Sequence, residues 1–182
     1  DMLNAVDQVN ADTIFILPNN KNILLAAKQA ATLYDESQIY IVPTATIAEG
    51  YAALTVLDYS SGDPENIIAE LQNIIDSVDT GLVTYSIRDC SIHDVHIEKN
   101  DWLGLSGKEI LADEKTKTDA AKRLIDRMDK TDKEVIIAIC GSDTTAAEIS
   151  EVREYINKTY PRMELYEVDG GQDIYSFIFA LE

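Results

Sequence analysis

Four short stretches of this sequence carry residue types that could do chemistry. Cys140-Gly141-Ser142-Asp143 lies where an apolar run, Val135 to Ile139, hands over to a helix start. A thiol at a helix N-terminus can have a lowered pKa and act as a nucleophile, the core of a hydrolase reading. The sequence sets no base beside Cys140, and free cysteine is among the most buried residue types. A small residue closing a core strand is therefore the stronger reading. His93-Asp94-Val95-His96 has the look of a metal site. On a strand, side chains three apart point to opposite faces, so the two imidazoles share an ion only across a bulge.

Gly170-Gly171-Gln172 matches the tripeptide of peptide-chain release factors. A chain of formal charge -18 with no basic flank there is a poor ligand for a ribosome, and a hairpin turn using glycine at positive φ is the simpler expectation. The fourth stretch is a pair of loops, PNNKN after one apolar run and PTATIAE after the next. Asn19, Asn20, Thr44 and Thr46 could hold an anionic ligand there with helix N-terminal amides, or could serve only as caps. Neither a GxxxxGK[ST] nor a GxGxxG pattern occurs, so nucleotide chemistry within this chain is not expected, and no metal site is either.

The elements that must position these residues follow from periodicity. Ile14 to Leu17 and Ile39 to Val42 are apolar runs too short for helices, each ended by proline, and read as strands. Between them Ile23, Ala26, Ala27, Ala30, Ala31 and Tyr34 repeat near 3.6 residues, with Asn19, Asn20 and Asn22 placed to cap. Thr46 and Glu49 have capping-box spacing before the next helix. Asp63-Pro64 starts another helix with Ile67, Ile68, Leu71, Ile74 and Ile75 inward, and residues 1–10 suit a short leading one. From Thr80 to Leu111 the period shortens to an antiparallel meander. Then a helix over Lys115 to Lys130, a strand at Val135, a helix over Ala146 to Tyr160, a strand near Met163 and a last strand, Ile174 to Leu181, repeat the opening logic. The fold class expected is α/β: residues 1–80 as an N-terminal α/β subdomain, and residues 81–182 as a C-terminal one with antiparallel strands. Their mixed sheets are joined by the meander.

Composition sets limits on function. Hydrophobic residues make up 46% and charged residues 26%, ordinary values for a globular chain. No apolar run approaches the ~20 residues of a membrane span, and two cysteines in no metal or disulfide spacing suit a reducing cytoplasm. From Gln29 to Ile87 there is no Lys or Arg, while Asp35, Glu36, Glu49, Asp58, Asp63, Glu65, Glu70, Asp76 and Asp79 all fall there. Such a surface repels nucleic acid and anionic lipid and attracts a basic protein face. The start on Asp1 suggests a piece of a longer protein.

Four motifs in order carry a resemblance over nearly the whole chain: PNNKNILLAAKQAA, IVPTATIAEGYAAL, VTYSIRDCSIHDVHIEKNDWLGL and VDGGQDIYSFIFALE. Together they resemble the C-terminal region of the bacterial fatty acid kinase catalytic subunit, which is of the dihydroxyacetone-kinase-like family. The resemblance implies a fold similar to DegV-like fatty-acid-binding proteins and a C-terminal end at Glu182. It further implies a role in docking such a protein, with a basic patch, to a kinase domain elsewhere in the subunit. ATP and magnesium belong to that domain, as acyl phosphate formation does, and dimerisation to a region outside this chain. PNNKN has no Ser or Thr where DegV-like proteins have a hydroxyl-rich loop. The expectation is therefore a non-catalytic docking module, with Glu49, Asp58, Asp63, Glu65, Asp143, Glu148 and Glu151 as the partner-binding acids. The alternatives are a fatty acid or small-molecule carrier using Asn19, Asn20, Thr44 and Thr46, and the hydrolase at Cys140.

Overall fold

The computed structural model describes residues 2–58, 60, 62–92 and 95–182, with the backbone alone at 90–92, 95 and 96. It divides into two units, Asp1–Val78 and Asp79–Glu182. Among the described residues no helix is long and apolar enough to cross a membrane.

The first unit opens with helix α1 (Met2–Val9) and then a β–α–β crossover: β1 (Thr13–Ile16), α2 (Lys21–Thr32) and β2 (Gln38–Ile41). The two strands pair in parallel from Thr13 opposite Gln38 to Ile16 opposite Ile41, which the intervening helix makes possible. Helix α2 begins at Asn20, whose side chain accepts the Asn22 N–H. Helices α3 (Ile47–Thr55) and α4 (Pro64–Ser77) complete the unit. Thr46 caps α3, and Asp63 caps α4 just ahead of Pro64, which lacks the N–H that the first helical position would leave unpaired. Buried Val42, Ala53, Ile67, Leu71 and Ile75 form the core, with Phe15, Leu17 and Leu57 packed on it. Each large aliphatic side chain so enclosed contributes about 1.5–3 kcal/mol. Ala48, Gly50, Ala52 and Ala53 are the buried residues of α3, so this helix meets its neighbours through small side chains.

The second unit holds β3 (Asp79–Tyr85), β4 (Cys90–Ile92), β5 (Val95–Ile97), β6 (Trp102–Ser106), β7 (Glu109–Glu114), α5 (Lys117–Arg127), β8 (Val135–Cys140), α6 (Ala146–Thr159), β9 (Glu164–Asp169) and β10 (Phe177–Leu181). Strands β4 and β5 pair with each other. The rest form a six-stranded sheet in the order β7-β6-β3-β10-β8-β9. Only β8 and β9 are parallel, joined by α6 as a second β–α–β crossover. Leu124 and Ile125 of α5 and Val152 and Ile156 of α6 join Val83, Ile136, Phe177, Phe179 and Leu181 in one core.

Two details differ from the sequence reading. The meander does not join two lobes: β3, β6 and β7 are half of the six-stranded sheet, and among the described residues the first unit has only its parallel pair. The Asp169-Gly170-Gly171 turn is not a hairpin, because β9 and β10 are not neighbours; β8 stands between them. Burial explains the order. All five residues of β10 are buried, which demands a central place, whereas β9 has exposed Glu164, Tyr166, Glu167 and Asp169 and suits the edge. The last strand accordingly begins at Phe177, and Ile174 is exposed in the connection before it.

Candidate functional site

The loops after β1 and β2 meet at the C-terminal ends of the parallel pair, where open α/β sheets form crevices. Asn19 sits at φ 55°, a left-handed conformation that asparagine tolerates. Its N–H donates to Thr44 Oγ1 at 3.0 Å, and Thr44 is wholly buried. The Asn19 side chain lies over Gly50 of α3, so close that a Cβ there would stand 2.6 Å from Asn19 Cγ and 2.8 Å from Nδ2. Asn19 Oδ1 is buried and has no hydrogen-bond partner among the described residues. Thr46 Oγ1 accepts the Glu49 N–H at 3.1 Å, while Glu49 Oε2 accepts the Ala45 N–H at 2.5 Å. Asn20, as noted, caps α2. The four candidate ligand residues thus make contacts within their own loops and helix starts.

The candidate docking acids fall into two sets. Asp58, Asp63 and Glu65 are exposed around the turn from α3 into α4. Asp58 accepts from both the N–H and the hydroxyl of Ser60, which hold its carboxyl below the usual range. Asp63 accepts the Glu65 N–H at 3.1 Å. Glu49 is half-buried on α3. The first 78 residues hold two basic and eleven acidic residues, a formal charge of -9. None of the ion pairs among the described residues includes any of them.

Asp143, Glu148 and Glu151 have cationic partners. Lys117 Nζ, mostly buried, donates to Asp143 O at 2.6 Å and Oδ2 at 3.1 Å, and stands 3.6 Å from Glu148 Oε1. It also lies 5.0 Å from the centre of the Trp102 ring. Ser176 Oγ donates to Asp143 Oδ2 at 2.7 Å, and Glu148 closes a capping box with Thr145. Lys122 donates to Glu151 Oε1, which also accepts from Thr118 Oγ1 at 3.1 Å. The Lys122 bond lowers the Glu151 pKa. Charge counting along the sequence missed this clasp, since the lysines lie on α5 and the acids at or on α6.

A cleft of about 490 Å³ opens at the C-terminal ends of β8 and β9, lined by Cys140, Ser142, Thr144, Ile149, Arg153 and Asp169 among others. Arg153 is held by Glu167 through two bonds of 2.7 and 2.6 Å. Cys140 is buried, its Sγ faces Ala138 O at 3.9 Å, and burial, then Glu167 and Asp169, push its thiol up to about 11. A thiol so placed is protonated at neutral pH and is no nucleophile. The Gly-Gly-Gln stretch crosses the end of β8: the N–H groups of Gly170 and Gly171 both donate to Cys140 O. Gln172 Nε2 donates to Ile139 O at 3.1 Å and Tyr175 O at 2.9 Å, so its amide is a structural brace. His93 and Asp94 lie outside the described residues, as does the His96 side chain. Among the described residues no group of three or more His, Cys, Asp or Glu could hold a metal ion.

Each of the two α/β units holds one parallel β–α–β crossover. The family is set by comparison. The model for the FakA-like C-terminal family, the C-terminal region of the A-like component of fatty acid kinase, matches residues 1–182, and the chain belongs to that family. It is 35% identical over 182 residues to protein YloV of Bacillus subtilis (strain 168), covering all of this chain and 32% of that protein. An uncharacterised protein of Staphylococcus aureus (strain USA300) is 32% identical, again over the whole chain and 33% of its own length. The chain therefore spans about a third of the length of these relatives. In fold it is similar to the Streptococcus pneumoniae fatty acid kinase B3 protein solved with linoleic acid (TM-score 0.67, 12% identity, covering 100% of this chain and 74% of that one). A fatty-acid-binding DegV family protein of Thermus thermophilus gives TM-score 0.66 at 12% identity, over 100% and 75%. The C. freundii dihydroxyacetone kinase, solved with AMP-PNP and Mg2+, gives 0.63 at 12% identity, over 98% and 40%. The fold is DegV-like.

Proposed function

We propose that this chain is the docking module of a fatty acid kinase subunit. It binds a DegV-like fatty-acid-binding protein, basic at the contact, and holds the enclosed acyl chain within reach of a kinase domain elsewhere in the subunit. That domain uses ATP and Mg2+ to make acyl phosphate for phospholipid synthesis in the bacterial cytoplasm. The subunit dimerises outside this chain, which is itself non-catalytic.

The observation that carries the reading is the uncompensated acidity of the first unit, eleven acidic residues against two basic ones. Family membership and the likeness to fatty-acid-binding folds support it. Asp58, Asp63 and Glu65, exposed and without ion-pair partners among the described residues, are the foremost docking acids. Glu49 is half-buried, and Asp143, Glu148 and Glu151 already have internal partners, so these four rank below them. Opposite potentials speed encounter more than they tighten a complex, and tethering makes modest affinity sufficient.

The test is a titration of the full-length subunit with its fatty-acid-binding protein at low and high salt. Affinity should fall steeply as salt shortens the Debye length, and the Asp58→Lys/Glu65→Lys variant should associate about tenfold more slowly. Absence of binding at low salt rejects the proposal.

A further inference from the structure

Helix α3 turns its small residues inward and its large apolar ones outward. Its buried residues are Ala48, Gly50, Ala52 and Ala53, whereas Ile47 and Leu54 are 46% and 55% exposed. A surface helix normally does the reverse and gives its solvent face to polar side chains. Ile47, Tyr51 and Leu54 fall at i, i+4 and i+7, within about 40° of one another around the axis and on the side opposite Ala52 and Ala53. Tyr51 is half-buried, and Val56, just past the helix, is 45% exposed. Glu49, the one charged residue of α3, is half-buried and bonds back to the Ala45 N–H. Beyond Val56 come the exposed acids Asp58, Asp63 and Glu65, and no Lys or Arg occurs from Gln29 to Ile87. The last turn of α3 has no basic residue either, so the negative end of its dipole adds to that field.

We infer that Ile47, Tyr51 and Leu54 are the apolar centre of the docking surface, with Asp58, Asp63 and Glu65 as its rim. The occupant is a face of the fatty-acid-binding protein on which basic side chains surround an apolar patch. This rests on the docking reading and divides the labour within it: the acids steer the encounter, and the stripe on α3 holds the complex once formed. An apolar centre with a charged rim is the usual anatomy of a specific interface, and a few large side chains at the centre supply most of its hold. Charge selects the occupant. A second copy meeting this face would bring together two units of formal charge -9, with no basic residue on α3 or in the turn after it to pair with the acids. An anionic membrane, which an exposed apolar helix face could otherwise enter, is repelled by the same acids. A partner with a basic rim meets both features at once.

Association and dissociation rates of the full-length subunit with its fatty-acid-binding protein, loaded with a fatty acid, test the inference at low and high salt. Leu54→Ser and Ile47→Ser should each raise the dissociation rate about tenfold, while the association rate and its salt dependence stay as they are. Asp58→Lys/Glu65→Lys should do the opposite, slowing association and flattening its salt dependence. Leu25→Ser, at a position 67% exposed on α2 and off the stripe, is the control and should change neither rate. Salt-sensitive binding with dissociation unchanged in both α3 variants overturns the inference and leaves the docking reading standing. Absence of wild-type binding at low salt rejects the docking reading and this inference with it. An equal rise in Leu25→Ser, or a Leu54→Ser effect seen only in the subunit's self-association by sedimentation, also overturns it.

Discussion

Replacing Gly50 with alanine sets two effects of opposite sign against each other. Gly50 lies inside α3, where alanine normally gains about 0.5–1 kcal/mol over glycine. Here the new methyl would stand 2.6 Å from Asn19 Cγ, well inside the ~3.5–4.0 Å optimum between carbon atoms. The Asn19 backbone is fixed by its φ of 55° and its N–H bond to Thr44, and its side chain lies against α3 with Oδ1 buried, so the methyl meets a side chain with little room to move. Overpacking of this kind costs about 1–3 kcal/mol. The cost exceeds the helix gain, so Gly50→Ala should destabilise by about 1 kcal/mol net, read as a lower urea midpoint at unchanged slope. In an Asn19→Gly background the left-handed backbone is kept and the obstructing side chain is gone. There the same substitution should stabilise by about 0.5–1 kcal/mol. Equilibrium urea unfolding of the four proteins in this cycle measures both signs. If Gly50→Ala stabilises the otherwise unchanged chain, Asn19 does not seat against α3 and the account of the first crevice fails.

Two further outcomes follow from titratable groups. Burial first, then Asp101, raises the Asp113 pKa above 3.8, and Asp113 Oδ1 has no hydrogen-bond partner among the described residues. A carboxyl with a raised folded-state pKa favours folding fully below its unfolded value and loses that contribution as pH rises through the folded one. Asp113→Asn should therefore raise the melting temperature at pH 7, with a gain that fades as pH falls below about 3.9; an equal gain at both ends refutes the assignment. Cys140, its thiol near 11 and its side chain buried, should resist iodoacetamide at pH 7 in the native protein and react once urea is added, as peptide mapping reports. Rapid native labelling at that position would return the hydrolase reading to consideration.

Much of the scaffold was legible in the sequence because the signals that specify it act over four residues or fewer. Proline after each early apolar run, Asn20, Thr46 and Asp63-Pro64 at helix starts, and the change of period near Thr80 all appear where local chemistry puts them. The parallel β–α–β unit in each half was legible too, since a helix between two short apolar runs allows little else. Acidity and the family motifs are likewise properties of the chain as written. Sheet order was not. The Gly-Gly turn suggested a hairpin, yet β10 enters between β3 and β8 because a strand buried on both faces must be central, and that is decided only when the sheet assembles. The charge map changed for the same reason. Lys117 and Asp143 are 26 residues apart and Lys122 and Glu151 are 29 apart, so packing of α5 beside α6, rather than any local pattern, gives those acids cationic partners. Asn19 and Thr44 read singly as caps or ligand residues; the tertiary structure alone brings them together with Gly50 into one closed crevice.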